Sequence, residues 1–114
     1  MSLKENLEEA IVYYNIAFKL ANQKKYSEAE LNYRKAIKIN PNFLEAYNNL
    51  AAVIFEINKI EESIDLYKKV LELKPDYTKA YYNLANTYAS IGFIKEAKEN
   101  YKKIARNAVI IFMA

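Results

Sequence analysis

The chain has 114 residues, 53% of them hydrophobic and 27% charged, which is enough apolar material for one packed domain and too much for disorder. One Gly and two Pro leave the tight turns of a sandwich or barrel without their usual residues, and with no Cys or His there is no disulfide framework, thiol nucleophile, imidazole base or common zinc set. Seventeen Lys and Arg against fourteen Asp and Glu give +3, a surplus too small to imply a polyanionic partner.

Helical spacing of apolar residues predicts a first helix over 3 to 22, and Ser2 with Glu5 has the spacing of a capping box at its start. Glu5, Glu8 and Glu9 lie where a secretory signal would carry basic and then apolar residues, so this end is not read as a signal. After a polar turn from Gln23 to Tyr26, a second helix is expected over 27 to 39, with Ser27 and Glu30 as a second capping box. Beyond Pro41 a third helix over 43 to 57 carries Tyr47, Leu50, Ala51, Ile54 and Ile57 on one face, and Asn58 and Lys59 separate it from a fourth over 60 to 73. Beyond Pro75 a fifth runs over 77 to 91, Gly92 supplies the left-handed residue that ends it, and a sixth covers 94 to 110. The apolar run from Ala108 to Ala114 is far short of the ~20 residues that span a bilayer, so a cytoplasmic protein without membrane contact is expected.

These elements repeat. Pro41 and Pro75 are 34 residues apart, and the phrase Leu44-Glu45-Ala46-Tyr47-Asn48-Asn49-Leu50-Ala51 returns as Thr78-Lys79-Ala80-Tyr81-Tyr82-Asn83-Leu84-Ala85. One step back lies Ala10-Ile11-Val12-Tyr13-Tyr14-Asn15-Ile16-Ala17, which sets frames 10–43, 44–77 and 78–111 with a short N-terminal helical extension over 2–9. Each frame is a helix pair that cannot bury its apolar face alone, so the pairs must stack. Small residues recur where helices would cross closely: Ala17, Ala51 and Ala85 in first helices, Ala29, Ser63 and Ala97 in second helices.

The 34-residue period, the small eighth residue, the aromatics at positions four and twenty-four and the proline at thirty-two resemble the tetratricopeptide repeat (TPR) family across three frames. The third frame departs from it, with Val109 in place of Pro. The resemblance implies an all-α fold, a right-handed α-solenoid of three antiparallel helix pairs forming one domain over 1–114, whose first helices line a concave groove. It also implies a protein–protein interaction adaptor that holds an extended peptide segment of a partner in that groove. Carried over by position, the groove residues are Tyr14, Asn15, Phe18, Asn48, Asn49, Phe55, Lys79, Tyr82, Asn83 and Asn86. Asn15, Asn49 and Asn83 recur once per repeat as a ladder, and an amide that both donates and accepts can pair with a peptide backbone. Tyr14, Phe18, Phe55 and Tyr82 add aromatic surface, whereas Tyr13, Tyr47 and Tyr81 are assigned to the core. The clamp by which some TPR domains hold chaperone C-termini is poorly matched, because its five positions hold Tyr14, Phe18, Asn49, Lys79 and Asn83 and only Asn49 and Lys79 fit.

Catalysis has no foothold, since no base is present to activate a hydroxyl such as Ser63 and one Gly cannot build a phosphate loop; no enzyme activity and no cofactor are expected. The second helices are rich in Lys, but Glu28, Glu30, Glu61, Glu62, Glu72, Glu96 and Glu99 interrupt them, so nucleic acid is an improbable partner. Ile104, Val109, Ile110, Ile111, Phe112 and Met113 form a C-terminal stretch too apolar to lie free, which must fold over the open end of the third repeat, meet a second copy as a homodimer, or carry a further repeat. The rival readings are therefore a self-assembling structural module and the substrate-recognition fragment of a larger enzyme.

Overall fold

The computed structural model describes residues 1–113, in six α-helices: α1 (Leu3–Asn22), α2 (Tyr26–Ile39), α3 (Leu44–Glu56), α4 (Ile60–Leu73), α5 (Thr78–Ser90) and α6 (Ile94–Met113). Ser2 caps α1 as its spacing predicts, its Oγ accepting the Glu5 backbone N–H at 3.2 Å. The second capping box does not form. α2 starts one residue early, at Tyr26, with Lys25 as an N-cap that offers no side-chain bond, and the Glu30 carboxylate is drawn instead to Arg34 and Lys59.

The reason lies in the turn before it. Lys24, Asn58 and Gly92 stand at the same position of their frames, and all three have positive φ, at 61°, 66° and 85°. At each turn two backbone bonds close the preceding helix: Lys25 N–H donates to Leu20 O, Lys59 N–H to Ile54 O and Phe93 N–H to Tyr88 O, each at 2.9 Å, while the left-handed residue donates to Ala21, Phe55 or Ala89. This is a Schellman closure made three times, and it sets where the next helix begins.

Packing follows the small residues. Ala17, Ala29, Ala51, Ala85 and Ser63 are fully buried and Ala97 nearly so, which lets the backbones of each pair approach closely. Ser63 Oγ donates to the Ala51 carbonyl at 2.7 Å, so the one polar member of the set is satisfied. Around the first junction, Tyr33, Leu50, Val53 and Ile54 form one apolar cluster, and around the second, Tyr67, Val70, Leu84 and Tyr88 form another. Full burial of Leu50 or Ile54 contributes about 1.5–3 kcal/mol each.

Neighbouring helices pack in chain order, and α3 also approaches both α1 and α5 directly; no such approach links α2, α4 and α6. The stack therefore curves with its first helices on the inside. Side chains alone bridge the back of the first junction, where Arg34 pairs with Glu30 at 2.8 Å and with Glu62, and Lys59 reaches Glu30 at 3.3 Å. Burial pushes the Glu30 carboxyl up, but the bonds from Arg34 and Lys59 outweigh it and hold the group below its ordinary range.

Tyr47 is buried in the second core cluster as expected, and its hydroxyl also donates to Pro41 O at 2.9 Å; Tyr81 is half-buried and donates in the same way to Pro75 O at 2.9 Å. Tyr13 makes no such bond among the described residues, and lies half-buried under the Lys35 ammonium at 5.5 Å from the ring centroid. The C-terminal stretch does not fold over the third repeat, because α6 continues as one helix to Met113 and leaves Val109 through Met113 exposed, Phe112 at 93%. No helix among the described residues is long and apolar enough to cross a membrane.

Candidate functional site

The inner wall is made by α1, α3 and α5. Where each helix pair meets the next, the wall opens into a cleft of about 250 Å³, and the two clefts are the same construction one frame apart. The first is lined by Phe18, Ala21, Asn22 and Asn49 with Tyr33 beneath; the second by Ala52, Phe55, Asn83 and Asn86 with Tyr67 beneath. Glu56 borders both. A third hollow, of about 450 Å³, brings Asn48, Asn49, Lys79, Tyr82 and Asn83 together with Ile104 of α6.

The expected groove residues are thus brought onto one wall, but they do not all face outward. Asn49 Nδ2 donates to the Tyr14 hydroxyl at 2.9 Å, and Asn83 Nδ2 donates to Asn48 Oδ1 at 3.3 Å. Each bond spans 35 residues, from position six of one frame to position five of the frame before. Asn49 and Asn83 of the ladder therefore tie neighbouring helices together through their amide donors. Asn48 is 4% exposed and belongs to the wall's interior rather than its surface. Asn15 makes no such bond among the described residues and is exposed, as are Asn86 and Lys79.

Aromatic rings share the wall unevenly. Tyr14 stacks on Phe43 at 4.9 Å and on Phe18 at 6.4 Å, and meets Tyr33 edge-on at 5.8 Å. Its hydroxyl, partly buried and facing Glu45, is held above its ordinary pKa. Phe18 and Tyr82 are about half exposed and offer open aromatic surface, while Phe55 is partly covered. Of the C-terminal set, Ile104 is half-buried beside Tyr82 and the rest are exposed.

Tyr33 and Tyr67 were legible only as apolar-face positions of the second helices. They are 1% and 2% exposed, yet each borders a cleft. Burial pushes the Tyr33 hydroxyl up to about 12 and that of Tyr67 higher still, so both remain neutral donors at physiological pH.

With this geometry in hand, comparison with known families decides the class. Models described as "Tetratricopeptide repeat" match residues 10–43, 32–65 and 78–107, and one described as "TPR repeat" matches 53–92, so that together they run from 10 to 107. The chain belongs to the tetratricopeptide repeat family. Comparison with curated proteins finds no match. Among solved structures, MamA superposes with a TM-score of 0.86 at 22% identity, over 95% of this chain and 63% of MamA; the TPR chain thus spans less than two thirds of that protein. The first TPR of Spaghetti (RPAP3), solved with the HSP90 peptide SRMEEVD, gives 0.82 at 25% identity over 88% of this chain and 79% of that one. The Arabidopsis OM64 TPR domain gives 0.82 at 23%, over 87% and 82%. TPR membership supports a protein-interaction adaptor role and gives no ground for catalysis.

Proposed function

We propose that the chain is a non-catalytic adaptor of three repeats, with the extension over 2–9, that binds an extended peptide segment of a cytoplasmic partner along α1, α3 and α5. The observation that carries this reading is the repetition of one cleft at successive junctions of the inner wall, with half-exposed Phe18 lining the first cleft and half-exposed Tyr82 lining the third hollow. A strand of peptide presents side chains and backbone groups at regular intervals, which suits a wall that repeats. The Spaghetti domain, whose structure contains an HSP90 peptide, is a precedent for a peptide partner. The wall of this chain is less suited to that acidic sequence, because Tyr14 and Phe18 stand where the clamp has Lys and Asn and the Tyr14 hydroxyl is already bonded.

The test is binding of a degenerate library of extended peptides by wild type and by Phe18→Ala with Tyr82→Ala. The double variant is expected to bind about fivefold or more weakly at an unchanged melting temperature, since half-exposed side chains contribute little to the fold. Equal binding by both proteins would sink the reading.

A second reading rests on the run from Val109 to Met113, five successive apolar residues that are all exposed at the end of α6. It is a homodimer through this helix end. Sedimentation across a concentration series is expected to show mass rising toward twice 13.3 kDa for the wild type and not for Phe112→Glu. A single mass for both would remove it.

A further inference from the structure

The cleft between the second and third helix pairs contains a donor that the fold does not use. Tyr67 is 2% exposed as a residue, and no side-chain hydrogen bond engages its hydroxyl among the described residues. The oxygen is not one of the fully buried polar atoms left without a partner, so it keeps access to the cleft that Tyr67 borders, where water or a ligand can accept its proton.

The other polar groups lining the cleft are largely committed. Thr87 Oγ1 donates to Asn83 O at 2.9 Å and Ser90 Oγ to Thr87 O at 2.7 Å. Asn83 Nδ2 is given to Asn48, and Asn86 Oδ1 accepts from the Tyr101 hydroxyl. What remains is the Tyr67 donor, the Asn86 Nδ2 donor at the exposed rim, the Asn83 Oδ1 acceptor and the Glu56 carboxylate, which enters no ion pair among the described residues. Ala52 and Phe55 supply the apolar wall.

An apolar wall ending at an unpaired carboxylate fits a side chain with an aliphatic stem and a cationic head. Building on the groove reading above, we propose that this cleft selects a lysine or arginine side chain of the bound peptide, with its stem on Phe55 and Ala52 and its charge on Glu56, while Tyr67 donates to a neighbouring backbone carbonyl of the same peptide. An acidic side chain is rejected here, because Glu56 has no cation beside it to offset the repulsion.

The probe is a positional-scanning library of fluorescein-labelled, C-amidated octapeptides read by anisotropy. With wild type, sub-libraries with Lys or Arg fixed at one position are expected to bind about fivefold tighter than those with Glu fixed there. Glu56→Gln erases that preference and Glu56→Lys reverses it. Tyr67→Phe weakens every sub-library about threefold and leaves the basic preference intact, with thermal melting no lower than wild type because the lost hydroxyl had no partner. Tight binding by the library with no basic preference, or a preference indifferent to both Glu56 variants, overturns the pocket and leaves the groove reading standing. Tyr67→Phe binding as wild type overturns the role given to its hydroxyl. Failure of every sub-library to bind overturns both the pocket and the groove.

Discussion

Lys24 and Asn58 hold the same left-handed backbone conformation, φ 61° and 66°, that Gly92 reaches at 85° without a side chain to strain it. The three repeats share one turn, and only the last carries the residue that suits it. An L-residue other than Gly loses roughly 1 kcal/mol or more in this region, Asn less than most.

Lys24→Gly is therefore expected to raise unfolding stability by about 0.5–1 kcal/mol, and Asn58→Gly by less. Gly92→Ala should lower it by about 1 kcal/mol, although a Cβ there meets nothing within 4 Å, so the cost is wholly one of backbone conformation. Urea unfolding with unchanged m-values measures all three. A stability loss in Lys24→Gly would contradict the account.

Tyr47→Phe removes a hydroxyl that donates to Pro41 O and should cost about 1 kcal/mol. Tyr13→Phe is the internal control: it sits at the same frame position, has no proline loop before it and is expected to be neutral. Thermal melting of the two variants side by side decides. Equal losses would mean that ring packing rather than the loop bond sets the cost.

Ser63 is fully buried at a helix crossing where the other repeats carry Ala29 and Ala97. Ser63→Ala loses one bond to a carbonyl within α3 and should cost about 1 kcal/mol or less. Ser63→Leu must force α3 and α4 apart and should cost about 2–3 kcal/mol or more. If the leucine variant melts with wild type, the crossing is looser than its burial indicates.

Much of this was readable beforehand because the repeat gives every residue two counterparts. Ala17, Ala51 and Ala85 identify the crossings, Ser2 with Glu5 identifies the first cap, and Gly92 identifies one turn from which the other two follow. Periodicity sorts residues by helix face but does not see the neighbouring frame. Asn48 falls on the inner face by spacing, yet it is covered because Asn83 of the next pair reaches across to it. Ser27 has the spacing of a cap but lies inside the first turn, since the Schellman closure after α1 releases the chain one residue sooner. Tyr33 and Tyr67 are the aromatics that recur at position twenty-four, and no local pattern marks the openings above them.

Alkali should unfold the protein earlier than lysine titration alone requires. The Tyr33 hydroxyl is pushed up to about 12 by burial, and Tyr67 lies higher, against an ordinary value of 10. Below pH 10 both folded and unfolded chains are protonated and stability is intact; above it the unfolded chain ionises first, so stability falls as pH rises toward the folded value. Tyrosinate absorbance followed with helicity is expected to show a late class of tyrosines that titrates together with unfolding. Late titration with helicity fully retained would mean that these hydroxyls ionise in place.

The bonds from Asn49 to Tyr14 and from Asn83 to Asn48 all point the same way, each amide donating toward the earlier repeat. A series with a direction has two different ends. Among the described residues, Asn15 stands at the donating position of the first frame and Tyr82 at the receiving position of the third, and neither meets its counterpart. A duplicated pair inserted between two frames would therefore find a donor and an acceptor already in register. The architecture can grow or shrink by whole repeats, with the length of the inner wall as its adjustable quantity.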